Sequence, residues 1–404
     1  MISSKRIAIT GLGVFCSIGK NVDEFLHSLR RERTGIGPVT LFDTSKYPSK
    51  IGAEIRDYRP ENFFEKKILR RISRTDQFAL IAAEEALRSS GFHSISLEES
   101  GVCLGAGAGG MLEAEAYHRE ILLDRKPKPS LLRPFIPSYA TDRVAERFGF
   151  SGPKITVTTA CSSSATAIGY GADLIRNGRA RVVLCGGSEA MSELTFGGFN
   201  SLKAMDCLPC RPFDRKRAGM SLGEGAAILV LEDYDEAVRR GAKIHAEVLG
   251  YGVGGEAYHM TAPEPNGAME ARIMQKAMDE SGISSQEVGY INAHGTATPL
   301  NDKVETLAIK RTFGERAYSV PVSSIKSRVG HCLGSAGAIE AMASILSITH
   351  HFIPSTLHHE QGDETCDLDY VPGVSRDQEV RIVLSNSFAF GGNCTTLVFG
   401  EKSR

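Results

Sequence analysis

The chain has 404 residues, 42% of them hydrophobic and 24% charged, with a formal net charge of −1. That is enough apolar material for a large core, arranged as two domains or as one large double unit. Near-equal acids and bases exclude the broad basic field on which nucleic-acid binding depends, so no nucleic-acid partner is expected and a charged partner must meet a local patch.

Met1-Ile2-Ser3-Ser4-Lys5-Arg6 lacks the apolar stretch and small-residue cleavage site of a secretory leader. No later apolar run is long enough to span a bilayer without Gly, Ser or charge interrupting it, so a cytoplasmic protein with no membrane partner is expected. The nine cysteines are scattered singly, several within strand-like runs such as Val102-Cys103-Leu104 and Val183-Leu184-Cys185. They read as thiols in a reducing compartment rather than as a disulfide framework.

Along the chain, strands alternate with amphipathic helices. Buried strands are expected at Arg6–Thr10, Val102–Leu104, Ile155–Thr159, Val182–Cys185, Ala227–Leu231, Gly289–Ala293, Val320–Ser323 and Ile382–Ser385. Apolar residues at three- and four-residue spacing predict helices at Asp76–Ser89, Ala165–Arg176, Met269–Glu280 and Ala336–Thr349. Two internal echoes accompany this alternation. The helix, Ser-Gly stop and strand that begin at Ala83 and run through Ser90-Gly91-Phe92-His93-Ser94 return at Met274 with Ser281-Gly282. Gly225–Leu231 returns as Asn393–Phe399. Two similar α/β halves, 1–240 and 241–404, account for both.

Four segments carry chemistry. In Thr158-Thr159-Ala160-Cys161-Ser162-Ser163-Ser164 a strand meets a helix, and the unpaired N–H groups of a helix start are expected to lower the pKa of Cys161; a simple buried thiol is the alternative. In Asn292-Ala293-His294-Gly295-Thr296-Ala297-Thr298 a histidine ends a hydrophobic strand, where α/β sheets gather ligands. Ser323-Ser324-Ile325-Lys326-Ser327-Arg328-Val329-Gly330-His331 places a second histidine beside Gly and hydroxyl residues; either histidine alone could be structural. Asn386-Ser387-Phe388-Ala389-Phe390-Gly391-Gly392-Asn393 ends a strand in a Gly-Gly turn, which either plugs the core or brings a backbone N–H close to a developing oxyanion.

Taken in this order, the four segments resemble the β-ketoacyl-[acyl carrier protein] synthases, type II above all, and the likeness runs from Arg6-Ile7-Ala8-Ile9-Thr10-Gly11-Leu12-Gly13 to the last strand. The resemblance implies a thiolase-like α/β fold of two pseudo-twofold related halves in five layers, αβαβα, as a homodimer. It implies an acyltransferase in which Cys161 takes an acyl chain from the acyl carrier protein and a malonyl unit then condenses with it, losing carbon dioxide. Cys161 and Phe390 would supply backbone N–H groups to an oxyanion, His294 and His331 would hold the malonyl enolate, and Lys326 with Glu340 would order the pocket. Thr296 and Thr298 match hydroxyls that hold the phosphopantetheine arm, Ala108 lies at the acyl-pocket gate, and Phe388 and Phe390 are the gate aromatics. No cofactor or metal is implied beyond the phosphopantetheine that the carrier brings. A basic rim for the acidic carrier is expected from Lys67, Arg70, Arg71 and Arg74, with Lys126, Lys128 and Lys203 adding to it.

The sequence departs from the family pattern at Ala108, where a bulkier gate is usual, at Ala389, at Asn393-Cys394, and in a short Asp206–Arg211 segment. Fatty acid elongation is the leading reading, with a specialised polyketide or polyene pathway as the alternative. A non-catalytic chain-length partner would lack the active cysteine, and a degradative thiolase would carry a second reactive cysteine in place of His331. Two weaker motifs point elsewhere: Gly105-Ala106-Gly107-Ala108-Gly109-Gly110 fits a dinucleotide fingerprint, and Cys207-x-x-Cys210 is half a zinc or redox site.

Overall fold

The computed structural model describes residues 5–92 and 99–402. Met1–Ser4, and His93 and Ser94 of the first echo, lie outside the described residues. The main sheet has ten strands: β1 (Ile7–Cys16), β2 (Ser100–Gly105), β3 (Lys154–Val157), β4 (Val182–Glu189), β5 (Gly225–Asp233), β6 (Ala246–Gly255), β7 (Tyr290–Asn292), β8 (Val322–Ser323), β9 (Ile382–Ala389) and β10 (Asn393–Gly400).

Their spatial order is β8-β7-β9-β10-β6-β1-β5-β4-β2-β3. The first five strands therefore run β3-β2-β4-β5-β1, and the last five repeat that order with every strand advanced by five. Pairing senses repeat too. β2 is parallel to β3 and β4, as β7 is to β8 and β9. β5 is antiparallel to β4 and β1, as β10 is to β9 and β6. The two sets join where β1 meets β6, Ala8 opposite Glu247 and Ile9 opposite Ala246. The echoed segments Gly225–Leu231 and Asn393–Phe399 fall in β5 and β10, equivalent strands of the two halves.

Six helices cover these strands: α1 (Arg74–Ser90), α2 (Tyr139–Phe148), α3 (Ser163–Arg176), α4 (Ala268–Ser281), α5 (Pro299–Phe313) and α6 (Ala336–His350). Ile168 and Ile175 of α3 and Ile339, Met342 and Ile345 of α6 share a core with Leu229 and Leu231 of β5 and with Leu397 and Phe399 of β10, which places α3 and α6 between the halves. Phe78, Ala82 and Ala86 of α1 and Val144 of α2 pack on the other face of the first half, against Ile228 and Val230. Met274 and Ala277 of α4 and Ile309 of α5 do the same on the second half, against Ile291, Leu384 and Val398. The result is the five-layer thiolase-like arrangement.

Side chains of a strand alternate between faces, and here both faces are covered. In β5, Ala227, Leu229 and Leu231 point inward and Ala226, Ile228 and Val230 outward, so the strand reads as an unbroken apolar run. The same geometry corrects one expectation. Ala336–Ile348 of α6 is buried on every side rather than amphipathic, because a helix in the middle layer has no solvent face. The echoed Ser-Gly stops are helix ends, Gly91 and Gly282 standing at φ 69° and 66° after α1 and α4, in the left-handed region that only glycine enters cheaply.

Candidate active site

Three of the four chemistry-bearing segments begin where parallel strands β3, β7 and β8 end, and the fourth runs from within β9 over its end. After β3 the chain makes a tight turn with Ala160 at φ 50°, then a 3-10 turn through Cys161 into α3. The turn is held by the Thr159 N–H to Ser163 Oγ (2.9 Å) and by Ser163 Oγ–H to the Ala160 carbonyl (2.6 Å). Small residues are required here: a Cβ on Gly105, at the end of β2, would stand 2.2 Å from the Ser164 nitrogen.

The backbone N–H groups of Phe390 and of Cys161 itself are directed at the Cys161 sulfur and favour its anion. The expected lowering of its pKa is nevertheless overturned. Burial pushes the thiol up to about 11, against the pull of the Lys326 ammonium and of these two N–H groups. With 7% of the residue exposed, desolvation of the thiolate outweighs the helix start.

His294 follows β7. Its backbone N–H and that of Gly295 donate to the two oxygens of Glu305 on α5, each at 2.8 Å. The turn needs glycine: Gly295 has φ 37° and leaves 2.6 Å between a built Cβ and Ser324 Cβ. Lys326, 1% exposed, directs its ammonium to His294 Nδ1 (3.1 Å), to the His294 carbonyl (2.6 Å) and to Glu340. Three acceptors occupy its three protons. His331 accepts the Leu333 N–H on Nδ1 at 3.1 Å.

Both imidazoles are thus in the tautomer that carries its proton on Nε2. Both are also neutral, held well below the usual histidine range by burial first and by the Lys326 charge second, with the neighbouring His331 adding to the effect on His294. Their rings stand edge to face, with centroids 5.4 Å apart. Burial raises Glu340 to about 7, and Lys326 opposes that rise.

Cys161, His294, His331, Phe388 and Phe390 line one cleft of about 390 Å³. Thr296 and Thr298 line it as well, with their hydroxyls 2.8 Å apart. Phe388 packs beside the His294 ring (6.2 Å) and Phe390 beside Phe199 (5.8 Å). The loop between the aromatics and β10 is fastened by Gly391 N–H to the Met260 carbonyl (2.8 Å) and by Glu256 N–H to the Gly392 carbonyl (2.9 Å). Gly391 and Gly392 both adopt positive φ, 80° and 74°, which accounts for the Gly-Gly pair.

Several expected positions fall elsewhere. Glu340 and Lys326, expected as a pair that orders the pocket, stand behind His294 rather than in the cleft wall, with Glu340 in contact with Lys326. Ala108 is also absent from the cleft wall, and its N–H donates to Glu189 at 3.0 Å. Arg74 is not a rim cation: its guanidinium is bound at 2.9 and 2.5 Å to Glu224, whose side chain is fully buried. Lys203 lines the mouth of the cleft. Lys67, Arg70, Arg71, Lys126 and Lys128 are exposed but lie outside its wall.

The glycine fingerprint is accounted for internally. The N–H groups of Gly107, Ala108 and Gly334 converge on Glu189 at 2.7, 3.0 and 3.2 Å, so a buried carboxylate of the chain takes the place a phosphate would need. Cys207 and Cys210 point apart, the first exposed and bonded to the Pro48 carbonyl, the second buried on the Lys326 carbonyl. Glu305, which holds the His294 turn, escaped the sequence reading. The signal was present as acids three apart, Asp302 and Glu305, on the buried face of α5.

Residues 4–237 match the family model of the β-ketoacyl synthase N-terminal domain and residues 245–360 that of the C-terminal domain. The chain belongs to the β-ketoacyl synthase family, a class of condensing acyltransferases. Among curated relatives, the 3-oxoacyl-[acyl-carrier-protein] synthase 2 of Synechocystis sp. is 40% identical over 98% of both chains. That of Coxiella burnetii is 39% identical over 99% of both. Among solved structures, the ishigamide ketosynthase/chain length factor superposes with TM-score 0.95 at 36% identity over 99% of this chain and 100% of the other. A type II polyketide ketosynthase, solved in complex with its acyl-carrier protein, gives 0.90 at 31% over 99% and 100%.

Proposed function

We propose that the chain is a 3-oxoacyl-[acyl carrier protein] synthase of fatty acid elongation. The observation that carries the mechanism is one cleft holding two donor pairs, the N–H groups of Cys161 and Phe390 at the sulfur and the Nε2–H groups of two neutral histidines. In the first step the Cys161 sulfur attacks the acyl thioester, the carbonyl oxygen gathers charge against the two backbone N–H groups, and the carrier's thiol leaves with the proton. In the second, malonyl thioester loses carbon dioxide and its carbonyl oxygen becomes an enolate that accepts from His294 and His331. The enolate carbon attacks the acyl-cysteine, a carbon–carbon bond forms as the carbon–sulfur bond breaks, and the released Cys161 thiolate takes a proton from water. Neutral imidazoles suit this work, because a donor that keeps its proton stabilises the enolate without protonating the carbon. Lys326 is a positioning residue that fixes the His294 tautomer.

Thr296 and Thr298 are assigned to the phosphopantetheine arm, which arrives on the carrier, so the chemistry needs no cofactor held by the chain. Docking of an acidic carrier is assigned to Lys203 at the cleft mouth with Lys67, Arg70 and Arg71. Elongation is preferred to the polyketide or polyene alternative because the curated relatives at 39–40% identity are synthases of the 3-oxoacyl type over their full length. Among the described residues no helix is long and apolar enough to cross a membrane, in keeping with work in the cytoplasm. A homodimer is proposed on the exposed apolar side chains of Ile121, Leu122, Leu123, Leu132, Phe135 and Ile136, which crowd one short stretch of chain; sedimentation at the mass of a single chain would refute it.

The decisive experiment is intact-protein mass after incubation with acyl carrier thioesters. Wild type is expected to gain one acyl group, and Cys161→Ala none, with condensation abolished. Condensation by Cys161→Ala would overturn the reading.

A further inference from the structure

Beside the cleft stands a cluster that takes no part in these steps. Glu256 follows β6, Glu270 sits in the first turn of α4, and Cys394 is the second residue of β10. One oxygen of each carboxylate and the Cys394 sulfur all lie within 4.8 Å of one another. The sulfur is 3.6 Å from Glu256 Oε1 and 3.6 Å from the Gly392 carbonyl. Glu270 is 1% exposed, and its Oε2 has no hydrogen-bond partner among the described residues. Burial acts on it first, and the Glu256 carboxyl, by charge and by a side-chain hydrogen bond, and the Glu264 carboxylate act in the same direction.

Two carboxylates that face each other, one buried and one half-buried at the cleft wall, repel, and a buried acceptor without a donor is costly. A cation between them removes both penalties. The donor set also selects among cations: a thiol that ionises on binding, beside two carboxylates, suits a borderline-soft metal rather than magnesium or calcium, which take oxygen ligands alone. We propose that Glu256, Glu270 and Cys394 bind one divalent cation of the zinc class, with its remaining coordination position turned to the catalytic cleft, which Glu256 lines. The three ligands come from three separate elements. A bound cation therefore ties the Ala389–Asn393 loop, through Cys394, to the segment after β6 and to α4, and restrains the loop that carries the Phe390 N–H.

The test uses the full chain in a Cys161→Ala background, so that the nucleophile cannot take up metal. Zinc chloride titrated calorimetrically is expected to bind at one equivalent per chain. Loss of a partner outside the ligand set already costs roughly 10–100-fold in metal affinity, so Glu270→Gln, which removes a ligand, is expected to weaken binding by at least about a hundredfold. Cobalt(II) added to the same protein should give a thiolate charge-transfer absorption that Cys394→Ser abolishes. The cobalt spectrum of the Cys161→Ala protein needs no further variant, so it remains informative if either substitution fails to fold. No uptake of either metal would mean that the two carboxyls share a proton and would overturn the proposal. So would binding that neither substitution changes, which would place the metal at another thiol such as Cys207.

Discussion

Replacing His331 by alanine separates the two halves of the reaction. In the proposed mechanism His331 offers one of two Nε2–H donors to the malonyl enolate, and its tautomer is fixed by the Leu333 N–H at Nδ1. Loss of one donor of this kind in a buried site lowers turnover by roughly 10²–10³-fold, about 2.7–4 kcal/mol. The assay is conversion of malonyl to acetyl thioester by Cys161→Gln, where no acyl-enzyme intervenes, against the same protein carrying His331→Ala. The parent is expected to decarboxylate at a level rate from about pH 8 to about pH 6, because burial keeps both imidazoles neutral through the ordinary histidine value of about 6.5. Acylation of Cys161 in the single variant His331→Ala should stay within about threefold of wild type, since that oxyanion is met by the Cys161 and Phe390 N–H groups. The Leu333 N–H loses its acceptor, at a cost of about 1–3 kcal/mol of stability, so a melting curve accompanies each rate. Acylation and decarboxylation falling together, or decarboxylation falling less than about tenfold, would refute the division of labour.

Two further outcomes follow from the electrostatics. A thiol raised to about 11 is mostly protonated at neutral pH, so alkylation of Cys161 by iodoacetamide, followed on its own peptide, should rise about tenfold per unit from about pH 7 to about pH 10; a plateau below about pH 9 would show that the helix start outweighs burial after all. Reversal of Arg70 and Arg71 to Glu should raise KM for the carrier substrate by roughly three- to tenfold, more at low salt than at high, and Lys203→Glu should do the same from the cleft mouth. Equal KM values would remove these cations from docking.

The sequence by itself determined the alternation of strands and helices, the doubling of the chain and the four segments that meet at the cleft, but not strand β6 or helices α2 and α5. It could do so because those signals are local. A strand covered on both faces is an unbroken apolar run, as in Ala227–Leu231, and a helix end in the left-handed region calls for glycine, as at Gly91 and Gly282. The tight strand-to-helix turn at Cys161 likewise needs small neighbours, as at Gly105. Only the tertiary structure decided how charge is spent. Arg74 reads as a surface cation until Glu224, 150 residues away, takes its guanidinium. The glycine loop reads as a phosphate cradle until Glu189 fills it. Cys161 reads as an acidified thiol until its burial is known, and the acceptors of Lys326 are known only once His294, 32 residues away, and Glu340 close on its ammonium. The common reason is that desolvation and pairing depend on everything packed around a group, and those neighbours arrive from distant parts of the chain.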